Sequence, residues 1–184
     1  MAQRELVELA RSGDRDAFSA LAASVVDRLY ATAMLILRDH SLADDATQET
    51  IVRAWRDLPA LRDPDRFNAW LRRLLVNACH DEGRRRRRNP EIALLPSHEP
   101  SVVDSSTGLA ERDALERGFR RLTPDHRTAV VLHHYVGLSL AEVAEAIGIP
   151  VGTAKSRVHH ATQALRAALE ADARGTDMTK GGIA

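Results

Sequence analysis

The chain has one cysteine, Cys79, which excludes an internal disulfide framework and a cysteine-rich zinc site. Cys79 reads as a small helical residue, with a reactive thiol as the alternative. Aromatic residues are only 4% of the 184 residues, so a core must come from Leu, Val, Ile and Ala; hydrophobic residues at 44% suffice for one. No run of 18 apolar residues argues for a membrane span. The start, Met-Ala-Gln-Arg-Glu-Leu, lacks an apolar signal core. These absences agree with a cytoplasmic protein without membrane insertion. No stretch alternates as a strand, and the abundant Ala and Leu favour helix. No paired carboxylates, metal-ligand set or nucleophile beside a base emerges, so no catalytic residues are assigned and an enzyme is the weaker reading.

Net charge is also missing, with 26 basic and 26 acidic side chains. The zero conceals a pattern. Residues 1–52 carry 5 basic and 9 acidic residues, 53–88 carry 11 arginines against 5 acids, and 89–118 carry 2 basic and 6 acidic. A basic block between two acidic ones is an electrostatic footprint of nucleic-acid binding.

Helical periodicity organises the rest as an all-α chain. Patterns run from about Ala2 to Arg11, from Asp14 through Ile36, and from Ser41 and Asp44 to Leu58. In the third, Ile51, Ala54, Trp55 and Leu58 are expected inside. A fourth runs from about Asp65 to Arg85, with Phe67, Trp70, Leu71, Leu74, Leu75 and Ala78 as its inner stripe. Asn89-Pro90 stops it. Pro90, Pro96 and Pro100, among serines and acids, describe a flexible acidic linker over 89–108. Periodicity returns from Leu109 to Leu169. Two small helical domains follow, an N-terminal bundle over 1–88 and a second domain over 109–170, with a disordered tail over 171–184. With no other contact evident, the two are expected to move independently unless a partner clamps them.

The second domain holds the most specific signal. Ser139 and Glu142 form a capping box before the apolar stripe Leu140, Val143, Ala144 and Ile147. Gly148 supplies the turn and Pro150 opens a second helix. There Val151, Ala154, Val158, Ala161 and Leu165 are expected inward, and Lys155, Ser156, His159, Gln163 and Arg166 outward. This helix-turn-helix can present donors to phosphates or base edges. Arg157, on the flank, is assigned a phosphate or an intramolecular partner. A plain helical hairpin is the bland alternative. The pairs His133-His134 and His159-His160 diverge by about 100° on a helix and cannot readily converge on one ion, so no metal is assigned.

Five strings then occur in order: Ala17-Phe-Ser-Ala-Leu21; Leu-Arg-Asp39 with Ala43-Asp-Asp-Ala-Thr-Gln-Glu-Thr-Ile-Val-Arg-Ala-Trp55; Phe67-Asn-Ala-Trp-Leu-Arg-Arg-Leu-Leu-Val-Asn77; the arginine-rich end; and Leu122-Thr-Pro-Asp-His-Arg127 with the helix-turn-helix. Together, over about residues 10–170, they resemble the extracytoplasmic-function group of bacterial RNA polymerase sigma factors. The resemblance implies that 1–88 is sigma region 2 and 109–170 is sigma region 4. The first would bind core polymerase and melt the promoter −10 element, the second would read the −35 element, and the linker would thread toward the active-site and RNA-exit region. Implied partners are core RNA polymerase, through its beta and beta-prime subunits, promoter DNA and an anti-sigma factor. No cofactor and no chemistry by this chain are implied.

Residue by residue, the resemblance places core binding on Asp45, Gln48, Glu49, Val52 and Arg56. It places −10 contact on the loop Leu61 to Arg66, with Arg62, Asp63 and Arg66, on Asn77, and on Arg84, Arg85 and Arg86. A base would be flipped into a pocket at that loop. The −35 contacts fall on Thr153, Lys155, Ser156, Arg157, His159 and His160. Arg84 to Arg88 point all round a helix, which suits sequence-independent phosphate contact, though cations also stabilise a helix C-terminus. The competing reading is a sigma-like mimic that acts only by binding an anti-sigma factor.

Overall fold

The computed structural model describes residues 2–88 and 109–180, with the side chains of 109–112 and 172–180 excepted. The linker expected over 89–108 lies outside the described residues. Among the described residues there is no strand. The first half comprises α1 (Gln3–Arg11), α2 (Arg15–Leu37), α3 (His40–Asp57) and α4 (Phe67–Arg88), with short 3-10 turns at Leu58–Ala60 and Pro64–Arg66. The second comprises α5 (Leu109–Arg121), α6 (Pro124–Val130), a π-type turn at Val131–Tyr135, α7 (Leu140–Ile147) and α8 (Val151–Lys180).

Side-chain caps set the boundaries. Gly13, at φ 99°, takes the turn after α1. The Asp14 carboxylate then accepts from the Asp16 and Ala17 amides at 2.9 and 3.0 Å and starts α2. The third helix starts earlier than the sequence suggests. Its cap is Asp39, which accepts from the Leu42 amide at 3.0 Å, rather than Ser41 or Asp44. Arg38 makes this possible by taking a left-handed conformation at φ 58°, a position where glycine is usual. The tail expectation also needs correction, because α8 runs to Lys180, ten residues past the assigned end. Strong helix formers continue through Arg174, and Gly175 costs a helix only about 1 kcal/mol. Residues 181–184 lie outside the described residues.

The capping box of α7 forms as read. Ser139 Oγ accepts from the Glu142 amide, the Glu142 carboxylate accepts from the Ser139 amide at 2.9 Å, and Gly148 closes the helix at φ 76°. Ser139→Ala is expected to lower stability by about 0.5–2 kcal/mol, and Ser139→Asp to retain most of it. Denaturant titration checks this; equal midpoints for wild type and Ser139→Ala would show that the box contributes nothing.

The first bundle closes on Leu21, Val25, Leu29, Ala54, Leu58, Phe67, Leu71 and Leu75, all buried. Cys79 lies among them, and burial pushes its thiol up to about 12, so it stays a protonated packing residue at neutral pH. Trp55 departs from expectation. It is 39% exposed and meets Phe18 edge-on at 4.8 Å. By length and composition α2 could cross a membrane. Here it packs on α1, α3 and α4, and its outward side is alanine, serine, Val26 and the charged residues Arg15, Asp16, Asp27 and Arg28.

The two halves pack against each other, which the sequence analysis does not anticipate. Helix α4 lies on α7, and α2 lies on α6 and the π-type turn. Val76, absent from the expected inner stripe, is 0% exposed and joins a cluster with Ala129, Leu132, Leu138 and Val143 of the second half. In return Leu122, Val130, Val131, Ala161 and Leu165 join the core of the first half. Polar contacts cross the seam. Arg127 Nη1 donates to the Ile36 carbonyl at the end of α2, while its Nη2 donates within its own half to the Leu122 carbonyl, both at 3.0 Å. Burial, and then the nearby Arg38, bring the Arg127 guanidinium down to about 10. Arg38 pairs with Glu116 of α5, and Arg66 with Glu145 of α7. In this conformation each half has an apolar face that the other covers.

Candidate functional site

Three surfaces carry the residues singled out from the sequence. The first is the outer face of α3. Asp45, Gln48, Val52 and Arg56 are exposed, Val52 at 54%. Their spacing of three and four residues keeps them on one side of the helix. Glu49 shares that side but is engaged: it accepts from Arg53 Nε at 2.7 Å. Arg56 chelates the carboxylate of Asp57 at 2.7 and 2.9 Å. With Val52 and the half-exposed Trp55, the face mixes apolar and charged groups, the composition of a protein-docking surface.

The second surface joins α3 to the end of α4. Arg53 bridges Glu49 and Asp81, Asp81 also accepts from Arg84 at 2.5 Å, and Glu82 pairs with Arg85 at 2.9 Å. These side chains, with Arg88, line an open cleft. Burial alone would raise the Asp81 carboxyl, but the bonds from Arg84 and Arg53 hold it below its usual value. Glu82 is buried although charged. The sequence reading missed Arg53, Asp81 and Glu82; their i, i+3 and i, i+4 spacings to Arg84, Arg85 and Glu49 were the available signal. Arg86 turns the other way and holds Asp39 at 2.6 Å, tying α4 to the joint between α2 and α3. The arginine run does point all round the helix. Three of its members already have carboxylate partners that a phosphate would have to displace.

The loop before α4 is pinned at several points. Leu61 is buried, Asp63 caps the Pro64–Arg66 turn by accepting from the Asp65 amide at 3.0 Å, and Asp65 pairs with Arg4 of α1 at 2.6 Å. Arg62 and Arg66 remain exposed, and Arg66 reaches Glu145. Arg4 is a missed residue, since no local pattern links it to a loop 61 positions away. Asn77 is exposed on α4, ten residues from its start and so about 15 Å along the axis. The fold thus keeps Asn77 apart from the loop.

The third surface is the start of α8. Ala154, Val158, Ala161 and Leu165 are buried, but Val151 is 51% exposed, contrary to expectation, because it precedes the first packed turn. Lys155, Ser156, His159 and His160 are exposed. Thr153 is half-buried, and its carbonyl accepts from Ser156 Oγ at 3.0 Å. Arg157 takes the intramolecular option: it pairs with Asp125 of α6 at 2.7 Å. The His160 ring lies 6.2 Å from His126. His133 contacts the Leu138 carbonyl at 2.7 Å and His134 contacts Thr162 Oγ1 at 3.3 Å. Among the described residues no three His, Cys, Asp or Glu side chains converge as a metal site.

These surfaces sit on segments with known relatives. Residues 21–89 match sigma-70 region 2, and residues 112–165 match sigma-70 region 4. The ECF RNA polymerase sigma factor SigM of Mycobacterium tuberculosis is 34% identical over 153 residues, covering 83% of this chain and 77% of that protein. Among solved structures, CnrH in complex with the cytosolic domain of CnrY superposes with a TM-score of 0.66. It is 31% identical, over 94% of this chain and 99% of that one. The sigma factor RpoE of Bartonella quintana, in complex with the anti-sigma factor NepR, gives a TM-score of 0.65 at 26% identity. That match covers 83% and 96% of the two chains. The chain belongs to the extracytoplasmic-function group of the sigma-70 family, the factors that direct RNA polymerase to promoters.

Proposed function

We propose that the chain divides this task between its halves. Residues 1–88 engage core RNA polymerase through the outer face of α3, with Asp45, Gln48, Glu49, Val52 and Arg56, and hold the melted −10 element. Arg62, Asp63 and Arg66 serve a flipped base at the loop, Asn77 a second base farther along α4, and Arg84 to Arg86 the backbone. The separation along α4 supports two base contacts rather than one shared pocket. Residues 109–170 read the −35 element through α8. The beta and beta-prime subunits of core polymerase are the protein partners, and an anti-sigma factor is a further one, as for the superposed RpoE. No catalysis by this chain and no cofactor is invoked; the setting is the cytoplasm.

The observation that carries the reading is the capped α7–Gly148–α8 unit, which presents Lys155, Ser156 and His159 outward from the first turns of its second helix. The early turns of such a helix enter the major groove. A mimic that acts only on an anti-sigma factor has no use for this face. Arg157, held by Asp125, orients α8 on α6 and contacts phosphate only if that pair opens.

The test is run-off transcription with core polymerase on a genomic fragment library, followed by selection of −35 variants. Wild type is expected to initiate at defined sites. Lys155→Ala and His159→Ala are each expected to cost about 1–3 kcal/mol at a −35-dependent promoter if a base contact is lost, with relaxed preference at one base pair. Arg84→Ala should weaken binding and shallow its salt dependence without changing the preferred −35 sequence. Absence of site-specific initiation by wild type would defeat the proposal. Unchanged preference and affinity in both α8 variants would remove α8 as the reader.

A further inference from the structure

We infer that the chain binds the −35 element in a proton-dependent way: His126, His159 and His160 form an imidazole strip beside Lys155 that holds promoter phosphates at mildly acidic pH and releases them as the pH rises. The inference rests on the promoter-recognition reading above and adds a regulation of that same face. It starts from a shortage of fixed positive charge. From Val151 to Ala161, the turns proposed to enter the groove, Lys155 and Arg157 are the only fixed cations. Arg157 is spent, because it pairs with Asp125 of α6 at 2.7 Å. Phosphate contact supplies much of the affinity of a DNA-binding face, and one lysine is little for that purpose. Histidines stand where further cations would serve. His159 lies four residues after Lys155 and so on the same row of the helix, and His160 lies four after Ser156 on the next row. Both are exposed. The His160 ring lies 5.7 Å from that of His159 and 6.2 Å from that of the half-buried His126 on α6. The three rings thus form one contiguous strip across α6 and α8.

Histidine is the side chain whose charge changes between about pH 5 and 8. The strip therefore gains cations exactly where Lys155 stands nearly alone. The charged groups on the elements packed against α8 are engaged elsewhere or lie farther off. On α6, Asp125 is held by Arg157, and Arg127 turns to the Ile36 and Leu122 carbonyls. On α7, Glu142 is held at Ser139 and Glu145 by Arg66. Helix α5, with Arg117, Arg120 and Arg121, meets α8 farther along, where Gly118 lies against Leu165 and Ala168; its Glu116 pairs with Arg38 and Arg120. From the π-type turn, His134 contacts Thr162 Oγ1 at 3.3 Å. His80 of α4 also feels Asp125 and Arg157. Burial, and then Arg84 and Arg157, hold it below the usual histidine value against the pull of Asp125 and Asp81, so it adds no charge at neutral pH. The sign of the effect follows from linkage. An imidazole that gains a phosphate partner holds its proton more strongly in the complex than in the free chain. The complex therefore takes up protons, is favoured as pH falls through the histidine range, and loses that gain as pH rises above it.

The test uses holoenzyme assembled from the full chain, on a promoter bearing both elements and on a template with the −10 element alone. The ratio of the two affinities at each pH cancels effects of pH on the core enzyme. Uptake of one proton per complex changes affinity about tenfold per pH unit. For wild type the ratio should rise at least about tenfold from about pH 7.5 to about pH 6.0. Over the same interval the salt slope of two-element binding should steepen by about 0.9 for each ring engaged. His126→Gln, His159→Gln and His160→Gln combined should reduce the response to less than about twofold. His159→Arg with His160→Arg fixes the charge and should keep the acid-level ratio at the higher pH. His80→Gln should retain the wild-type response. A high wild-type ratio that does not change with pH, an unchanged salt slope, a response that survives the triple substitution, or one abolished by His80→Gln would each overturn the proposal while leaving the −35 reading intact. A two-element promoter bound no better than the −10 template at either pH would sink the −35 reading and the proposal with it.

Discussion

Asp45→Arg combined with Glu49→Arg is expected to weaken association with core RNA polymerase by about 10²–10³-fold while helical content stays near wild type. The two acids share the exposed side of α3 with Gln48, Val52 and Arg56. Reversing both against a basic partner replaces two attractions by two repulsions. A combined cost of about 3–4 kcal/mol gives that factor at 1.4 kcal/mol per decade. Glu49 also holds Arg53, which in turn holds Asp81, so its reversal disturbs the cleft between α3 and α4. Asp45→Arg alone leaves the Glu49–Arg53–Asp81 pairs in place, because Asp45 is exposed and acts on that cleft only through the field it exerts on Arg85. It should retain a large part of the loss. Circular dichroism beside a direct core-binding titration decides the matter; a native spectrum with unchanged affinity in the double variant would show that α3 does not dock as proposed.

Phe67→Ala is expected to destabilise the chain by about 3–5 kcal/mol, the range for removing a buried aromatic side chain. Phe67 is 3% exposed, starts α4, and lies 6.0 Å from the Trp70 ring. Aromatics are scarce here, and no neighbour can grow into the space. A domain has only about 5–15 kcal/mol of stability to lose, so the variant should forfeit a large fraction of it and unfold at a lower denaturant concentration than wild type. Phe67→Leu should recover most of the loss, since it leaves a smaller cavity. Guanidinium titration gives the number, and a shift below about 1 kcal/mol for Phe67→Ala would mean that the site collapses around the gap.

Much of the molecule was legible along the chain because its signals are local. The capping box at Ser139 and Glu142, the turn at Gly148, the break at Gly13 and the stripe from Phe67 to Ala78 each depend on residues within a few positions. Helix geometry alone brings those residues together. The family resemblance rests on the same kind of text. The exposed faces were legible as types of residue: Lys155, Ser156 and His159 are outward, as are Asp45, Gln48 and Val52. The errors arose at helix ends. Val151, the first residue of α8, and Trp55, in the last turn of α3, carry apolar side chains at inward register yet stay exposed.

What only the tertiary structure decided is which charged groups are already spent and which faces are already covered. An arginine run reads as five available cations, yet Arg84, Arg85 and Arg86 are paired with Asp81, Glu82 and Asp39. Arg4 with Asp65, Arg38 with Glu116, and Arg66 with Glu145 join residues 61 to 79 positions apart. Val76 falls on the side of α4 away from its own bundle, where the periodicity of a single helix predicts solvent. It is buried because α7 lies there. Amphipathic periodicity records which side of a helix is apolar, whereas an ion pair or a shared core also needs the relative placement of two helices, which is a property of their packing.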